Sequence, residues 1–398
     1  MGDQINKNRL FYASCIALIV TSMTFAIRAR LETVFGSDFG LTSEELGFAF
    51  GPAFWGFTVA MVIGGPLVDI FGMKKIMWLA FIGHLAGILV TILATDFITL
   101  FIGTLLVGLG NGMVEAACNP LVATMYPREK TKMLNRFHVW FPGGIVIGSV
   151  VAYLVMDVMN LGWQILVGIL FIPLIIYGYL FFGQNMPKTE RVQMGVSTAD
   201  MWKAIITPLF ILMGFCMLLT ASTELATNQR ISSLLVETGV SAILVLAFIN
   251  GIMALGRAFA GPVVHKLSNS GVLLFSAIFS CLGLLWLSYA QGAMTFAAAG
   301  VFAIGICYFW PTMLGFVAEN VPESGALGLS VMGGLGMLSA SIVLPVMGVF
   351  MDLDMAGGQI LRLMAYLPGL LIFIFLGIYL WSKKQKGRVV KQQTETAA

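Results

Sequence analysis

The sequence predicts an all-α polytopic membrane protein with twelve transmembrane helices in two pseudo-symmetric six-helix bundles. Of its 398 residues, 59% are hydrophobic and only 10% are charged, which excludes an ordinary soluble domain. Apolar runs recur along the whole chain, and a helix needs about 20 such residues to cross a bilayer. The two halves of the chain also repeat the same landmarks in the same order.

Twelve apolar segments can be read in order along the chain. They are expected near residues 9–34, 45–70, 76–95, 98–125, 133–156, 161–183, 204–235, 241–265, 271–290, 293–318, 326–352 and 360–382. The first has two basic residues before it, as a secretory signal would, but no small-residue cleavage site comes after it. We therefore expect a retained first helix. The five cysteines fall within predicted helices, without disulfide or metal-site spacing.

Basic residues alternate from side to side of the predicted helices. Most of the 22 lysines and arginines fall in alternate loops and in both terminal segments, whereas the opposite loops carry acids. The positive-inside bias then predicts a multi-pass protein of the cytoplasmic (inner) membrane with both termini in the cytoplasm. The net charge of +3 reflects this bias and gives no reason to expect a nucleic-acid partner.

An internal repeat divides the chain in two. The run from Gly65 to Asp69 recurs as Gly261 to His265, and Asn119-Pro120 recurs as Trp310-Pro311. We expect an amino-terminal bundle (1–183), a cytoplasmic linker (184–203), a carboxy-terminal bundle (204–382) and a cytoplasmic tail (383–398). Two related bundles around a central site are typical of carriers that work by alternating access.

Polar residues at helical spacing interrupt the apolar segments. Ionisable groups at bilayer depth are costly and commonly face a cavity or a partner, so they mark candidate functional positions. Asn111, Glu115 and Asn119 succeed each other at intervals of four in the fourth segment. Other segments contain further candidates. These are Thr21, Thr24, Arg28 and Glu32 in the first segment, His138 in the fifth, Thr220, Glu224 and Asn228 in the seventh, and Tyr308 and Trp310 in the tenth.

Each of these features has a structural alternative. The polar face of the fourth segment could instead form a structural interhelical hydrogen bond, and Arg28 and Glu32 could form a simple i,i+4 ion pair. Trp310 could be a packing residue and His138 a satisfied core histidine, while Arg257 is expected to have a carbonyl or carboxylate partner. The glycines at 108, 110 and 112 indicate close helix packing.

The run Gly65 to Lys75 is similar to the signature loop between helices two and three of the major facilitator superfamily. This resemblance implies a gating role for Asp69, Lys74 and Lys75. Ile70 departs from the pattern, because the family usually has a basic residue there.

Within that superfamily, two segments resemble the fucose/galactose/glucose:proton symporter branch. They are Gly108 to Pro120 and Leu134 to Gly144, the second of which contains His138 and Trp140. The resemblance implies proton-coupled transport of a hexose or related polyol, with Glu115 or Glu224 as the protonation site. Where fucose permeases have a helix-one aspartate, this chain has Arg28-Ala29-Arg30, so a relay of two carboxylates does not carry over.

The sequence therefore predicts a secondary active transporter, by preference a sugar:proton symporter acting as a monomer. The expected substrate-binding residues are Arg28, Arg30, Asn111, Asn119, His138, Trp140, Glu224, Asn228, Tyr308 and Trp310. The alternative is a carrier of organic anions (a carboxylate, sugar acid or phosphate) bound by Arg28, Arg30 or Arg230, and a third class is a membrane sensor without transport. We expect a coupling proton or sodium ion, a surrounding bilayer and no cofactor. Three scattered histidines without metal spacing or a nucleophile motif favour a protein that is not an enzyme.

Overall fold

The computed structural model describes residues 5–127, 130–188 and 198–396. Within these ranges the structure does not describe the side chains of residues 69, 130–132, 135, 198–200, 260–262, 264–265, 318, 322, 325–326 and 385–396.

Twelve helical spans, here numbered α1 to α12, succeed one another along this part of the chain. The amino-terminal six are α1 (Lys7–Phe39), α2 (Ser43–Phe50 and Pro52–Phe71), α3 (Met73–Ile92), α4 (Phe97–Met125), α5 (Lys130–His138, Trp140–Ala152 and the π-helical turn Tyr153–Val158) and α6 (Trp163–Gly168 and Phe171–Phe181). A short helix, Thr198–Ile205, precedes the second set.

The second set begins with the segmented span α7 (Pro208–Ala221, the π-helical turn Ser222–Ala226, Thr227–Gln229 and Ile231–Leu234). It continues with α8 (Ala242–Ala258), α9 (Ala260–Leu287), α10 (Met294–Ile306 and Phe309–Asn320), α11 (Gly325–Asp352) and α12 (Gly357–Thr396). Ser268 breaks α9 with a φ of 63°, so the residues before it prolong the eighth crossing and those after it form the ninth.

Length and composition agree with the predicted fold class. Eleven helices of the described chain are long and apolar enough to cross a bilayer, and α8 is a shorter apolar helix of 17 residues. Each predicted segment contains a helix, with ends that differ by several residues; α1, for example, continues to Phe39. The prediction of an all-α polytopic protein is confirmed.

Close helix contacts set the position of α4. A Cβ atom on Gly108 would lie 2.8 Å from the Cα atom of Ala53 in α2, and one on Gly110 would lie 2.6 Å from the Cδ2 atom of His84 in α3. Glycine at these two positions thus lets α4 pack between α2 and α3. The contacts agree with the reading of these glycines as packing residues.

The two halves meet mainly through three helix pairs. α2 packs along α11, α5 packs against α8, and α1 contacts the segments of α7. The Thr58 hydroxyl of α2 donates to the Gly334 carbonyl of α11 over 2.7 Å. The polar residues of α1 and α7 consequently lie where the halves face each other.

Candidate functional site

A chain of hydrogen bonds fixes the polar face of α4 inside the amino-terminal half. The hydrogen-bonded side chains come from four spans. His84 Nδ1 lies 3.0 Å from the Tyr177 hydroxyl, and His84 Nε2 lies 2.8 Å from Asn111 Oδ1. The Asn111 amide then donates to the Thr24 hydroxyl over 3.2 Å. Because His84 and Asn111 are fully buried, this chain holds α1, α3, α4 and α6 in one arrangement.

Glu115 is the centre of a second cluster, one turn further along α4. Its Oε2 atom accepts a hydrogen bond of 2.6 Å from the Asn119 amide, whose Oδ1 atom lies 2.9 Å from His138 Nε2. His138 Nε2 is itself 3.9 Å from Glu115 Oε2. Among the described residues, no arginine or lysine pairs with this buried carboxyl group.

Arg28 is a buried guanidinium group without a carboxylate partner among the described residues. Its Nε atom donates to Gln229 Oε1 of α7 over 3.2 Å, while Nη2 has no hydrogen-bond partner. The rings of Phe25 and Phe54 lie 4.9 and 5.1 Å from its central carbon. The side chain is only 6% exposed. A positive charge is therefore held between the halves by aromatic faces and one amide oxygen.

In the carboxy-terminal half, the buried charges of Glu224 and Arg257 neutralise each other. Arg257 Nη2 lies 3.2 Å from Glu224 Oε1, and Arg257 Nε donates to the Cys307 carbonyl over 2.9 Å. The second carboxylate oxygen of Glu224 has no partner. The expectation that Arg257 has a carbonyl or carboxylate partner is confirmed, since it has both.

A small cavity lies between α1, α5, α7 and α8, next to Arg28. Its lining includes Phe25, Phe141, Glu224, Asn228 and Gln229. The Asn228 Oδ1 and Gln229 Nε2 atoms are buried without partners. The cavity has room for little more than a water molecule, so a larger ligand requires the halves to move apart.

A polar contact, here called the distal clasp, joins the halves at the end of the bundle that carries Phe39, opposite the chain termini. It consists of Arg230 of α7, Glu32 of α1 and the carbonyls of Ser43 and Leu344. Arg230 pairs with the Glu32 carboxylate and donates to those carbonyls over 2.8 and 2.9 Å. Arg230 is 1% exposed and Glu32 is 2% exposed. The alternative i,i+4 pair of Arg28 with Glu32 is thus wrong, because Glu32 bonds across the halves.

Two more acid groups support this end. Asp352 of α11 accepts hydrogen bonds of 3.0 and 2.8 Å from the Ser43 and Glu44 amides, which caps the start of α2 from the other half. Arg30 pairs with Asp157 of α5 at 2.9 Å, a contact within the amino-terminal half. Arg30 therefore already has an acidic partner, unlike Arg28.

Other predicted residues lie away from the cavity. Trp140 is 39% exposed, and its carbonyl accepts a hydrogen bond from Ser22. Tyr308 is buried near the partners of Arg257, and Trp310 packs toward α11. Lys74 and Lys75 are exposed. The side chains of Asp69 and His265 lie outside the described residues, so the gating role of Asp69 stays a prediction.

Sequence reasoning missed several site residues. Gln229, Phe25 and Phe141 line the cavity but belong to no i,i+4 polar face. The π-helical turn Ser222–Ala226 explains Gln229, because its wider hydrogen bonds shift the register of the residues after the turn. As a result both Asn228 and Gln229 line the cavity. The sequence offered one indication of this role: Gln229 lies between Asn228 and Arg230, which were both candidate binding residues.

Two bundles of membrane helices with buried charges around a cavity between them define a membrane carrier. A family model described as Major Facilitator Superfamily matches residues 9–344. The chain belongs to that superfamily of membrane transporters. The predicted family is confirmed, and family membership supports the prediction that the protein is not an enzyme.

Similar proteins have diverse names. A hexuronate transporter of Bacillus subtilis (strain 168) is 26% identical over 324 residues, which cover 71% of this chain and 74% of that protein. A probable chloroplastic anion transporter 6 of Arabidopsis thaliana is 27% identical over 150 residues, 37% of this chain and only 28% of the relative.

Solved structures agree with the fold. The xylose transporter of Escherichia coli, in a partially occluded inward open conformation, superposes with a TM-score of 0.77 at 12% identity, covering 93% of this chain and 97% of that one. The fucose:proton symporter of E. coli has a TM-score of 0.68 at 16% identity, with 93% and 98% covered. These identities show the fold alone, so the assignment to the fucose branch stays a prediction.

Proposed function

We propose that the protein is a secondary transporter of organic anions of the sugar-acid type, in which Arg28 binds the substrate carboxylate. The observation that carries this proposal is the buried guanidinium of Arg28, which has no carboxylate partner among the described residues. An uncompensated charge at bilayer depth is unfavourable by several kcal/mol or more, so a buried cation calls for an anion. A bound substrate would supply it.

The geometry around Arg28 suits a carboxylate. A guanidinium can donate two parallel hydrogen bonds to one carboxylate, and Arg28 has Nη2 unpartnered and Nε bonded only to an amide oxygen. In this arrangement Gln229 Oε1 occupies part of the position that a substrate oxygen would take. The name of the hexuronate relative is consistent with such a ligand.

The remaining cavity groups suit hydroxyls. Glu224 Oε2 and Asn228 Oδ1 are unpartnered acceptors, and Gln229 Nε2 is an unpartnered donor. Phe25 and Phe141 provide apolar faces for the carbon skeleton of a sugar ring. A sugar acid would use both the cation and these hydroxyl-binding groups.

A neutral sugar is the second candidate, because the same acceptors and aromatic faces would bind a hexose. In that case Gln229 would be the lasting partner of Arg28 and no anion would be needed. The fold similarity to xylose and fucose transporters fits this candidate but does not identify a substrate.

Glu115 is the proposed protonation site in either case. Glu224, the other candidate, is neutralised by Arg257, whereas Glu115 contacts the Asn119 amide and the His138 imidazole and has no arginine or lysine partner among the described residues. A carboxyl group without a permanent cation can bind and release a proton during the cycle. Arg30 is not assigned to the substrate, because it already pairs with Asp157.

Orientation and boundaries are also proposed. The distribution of basic residues supports an orientation with both termini in the cytoplasm of an inner membrane, which would put the distal clasp on the outer face. The bundles are proposed to be 1–183 and 204–382, with the linker 184–203 and the tail 383–398. The clasp would then close the outer entrance while the substrate is released inward.

Ligand binding to the purified protein tests the proposal. D-glucuronate and D-glucose serve as the anionic and neutral probes, and Arg28→Gln is compared with Arg30→Gln. Loss of one partner of a desolvated charge pair costs about 3–5 kcal/mol, so Arg28→Gln should weaken glucuronate binding by more than 100-fold. Arg30→Gln, which alters a partly exposed pair outside the cavity, should change it by less than about threefold. Binding of glucose but not of glucuronate to the wild type would contradict the anion proposal and favour the neutral sugar.

A further inference from the structure

We infer that proton and anion are coupled through the electrical balance between Arg28 and Glu115, so that one proton moves with each monocarboxylate and no net charge crosses the membrane. This inference rests on the proposed function, and it concerns how the same site is coupled to its driving force. Its basis is the pairing of the buried charges.

Six charged side chains are buried among the residues that the structure describes: Arg28, Glu32, Glu115, Glu224, Arg230 and Arg257. Four of them form two ion pairs, Glu32 with Arg230 and Glu224 with Arg257. One cation, Arg28, and one carboxyl group, Glu115, have no ionic partner of fixed charge among the described residues.

Arg28 and Glu115 are separated but lie in one rigid half. Arg28 lies one turn from Thr24, which is hydrogen-bonded to Asn111, and Asn111 lies one turn from Glu115. Two turns correspond to about 11 Å along the bundle. The two charges are therefore too far apart for direct contact, yet they share the same buried region.

The charge of this region differs among four forms of the carrier. The empty form with ionised Glu115 is neutral, and so is the form with a monocarboxylate on Arg28 and a proton on Glu115. The empty protonated form has an extra positive charge, and the loaded ionised form has an extra negative charge. Because an unbalanced charge in a region of low dielectric constant is unfavourable, the two neutral forms are the ones that change conformation readily.

The other titratable groups near Glu115 are taken to keep their charge in this balance. His138 of α5 lies 3.9 Å away and bonds to Asn119. On the side of α1 lies the thiol of Cys15, near the thiol of Cys118 on α4 itself. Arg257, across the halves from His138, is already paired with Glu224. A proton that binds Glu115 thus adds one charge, which the substrate carboxylate on Arg28 cancels.

Uptake into proteoliposomes under a controlled membrane potential tests the inference. The full-length protein is used, labelled D-glucuronate is the probe, and valinomycin with potassium sets the potential. With no potential, a pH difference of one unit, acidic outside, should give about tenfold accumulation. With no pH difference, a potential of 100 mV should give none, whereas a carrier that moves one net charge per cycle would concentrate its substrate about 50-fold.

Glu115→Gln provides a second test with its own control. The glutamine side chain is always neutral, so the empty form of this variant keeps the uncompensated charge of Arg28 and changes conformation slowly. Net uptake, which requires the empty form, should therefore fall more than tenfold. Exchange of internal for external glucuronate uses only the loaded form and should stay within about twofold. Retained exchange also shows that the variant is folded, and Glu115→Asp should keep pH-driven uptake.

The outcomes separate the inference from the proposed function. Potential-driven accumulation of glucuronate by the wild type, or undiminished net uptake by Glu115→Gln, overturns the charge-balance coupling and leaves the anion site at Arg28 standing. Failure of glucuronate to bind, or binding that Arg28→Gln does not weaken, overturns the proposed function and the inference with it.

Discussion

Glu32→Gln is expected to open the distal clasp. The substitution keeps the size of the side chain but leaves the guanidinium of Arg230 buried without its anion. Breaking a buried ion pair from one side costs about 3–5 kcal/mol. Arg230 retains its bonds to the Ser43 and Leu344 carbonyls, so we expect about 2 kcal/mol to be lost from the closed arrangement. That loss shifts the ratio of closed to open molecules by roughly 30-fold.

Distances between spin labels measure this shift. Labels on Ser37→Cys and Glu237→Cys, in a background without native cysteines, would report the separation of the halves at the distal end, because both positions are exposed. The wild type should give mainly the short distance, and Glu32→Gln should add a longer one. Arg30→Gln is the matched control, since it breaks a pair at the same end but within one half. Unchanged distances in Glu32→Gln, or an equal change in Arg30→Gln, would refute a gating role of the clasp.

Three further outcomes are expected. Gln229→Glu places a carboxylate beside Arg28 as an internal competitor, so glucuronate binding should weaken by about 100-fold or more in a titration, whereas an unaltered affinity would argue against displacement of Gln229. His84→Phe leaves the Asn111 oxygen and the Tyr177 hydroxyl unpartnered, so the protein should lose about 2 kcal/mol of stability and melt at a lower temperature in detergent; an equal melting temperature would show that the network is not stabilising. Asp69→Asn should speed labelling of cysteines in the inner vestibule and slow it in the outer one, and equal rates on both sides would favour a role in folding.

Local patterns in the sequence were sufficient for the fold and for part of the site. Spans were predictable because each hydrophobic run is long compared with the thickness of a bilayer. The face of α4 was predictable because residues four apart lie on the same side of a helix, as the contact of Glu115 with Asn119 shows. The charge of Arg257 implied a partner, and Glu224 provides it.

Local sequence patterns could not predict which charged residues form ion pairs between the two halves. Glu32 is four residues from Arg28, yet it bonds to Arg230, nearly 200 residues further along the chain. Whether Glu32 pairs with Arg28 or with Arg230 depends on how α1 and α7 lie relative to each other. The spacing of residues within one helix does not determine that arrangement. The cavity role of Gln229 likewise depends on a π-helical turn, which hydrophobic periodicity does not reveal.

The segmented form of α7 has a consequence for how such a carrier can acquire new substrates. On the amino-terminal side, buried hydrogen bonds from Tyr177 to Thr24 tie four helices together, so a replacement there disturbs a whole bundle. On the opposite side, Asn228 and Gln229 sit in a three-residue helical segment, and their Oδ1 and Nε2 atoms respectively have no partner. Under the proposed function, substitution of Asn228 would alter which hydroxyl pattern is accepted, because its side chain lines the cavity, whereas Gln229 also bonds to Arg28. On that proposal, specificity would change by substitution on α7, while α1 keeps the binding charge of Arg28.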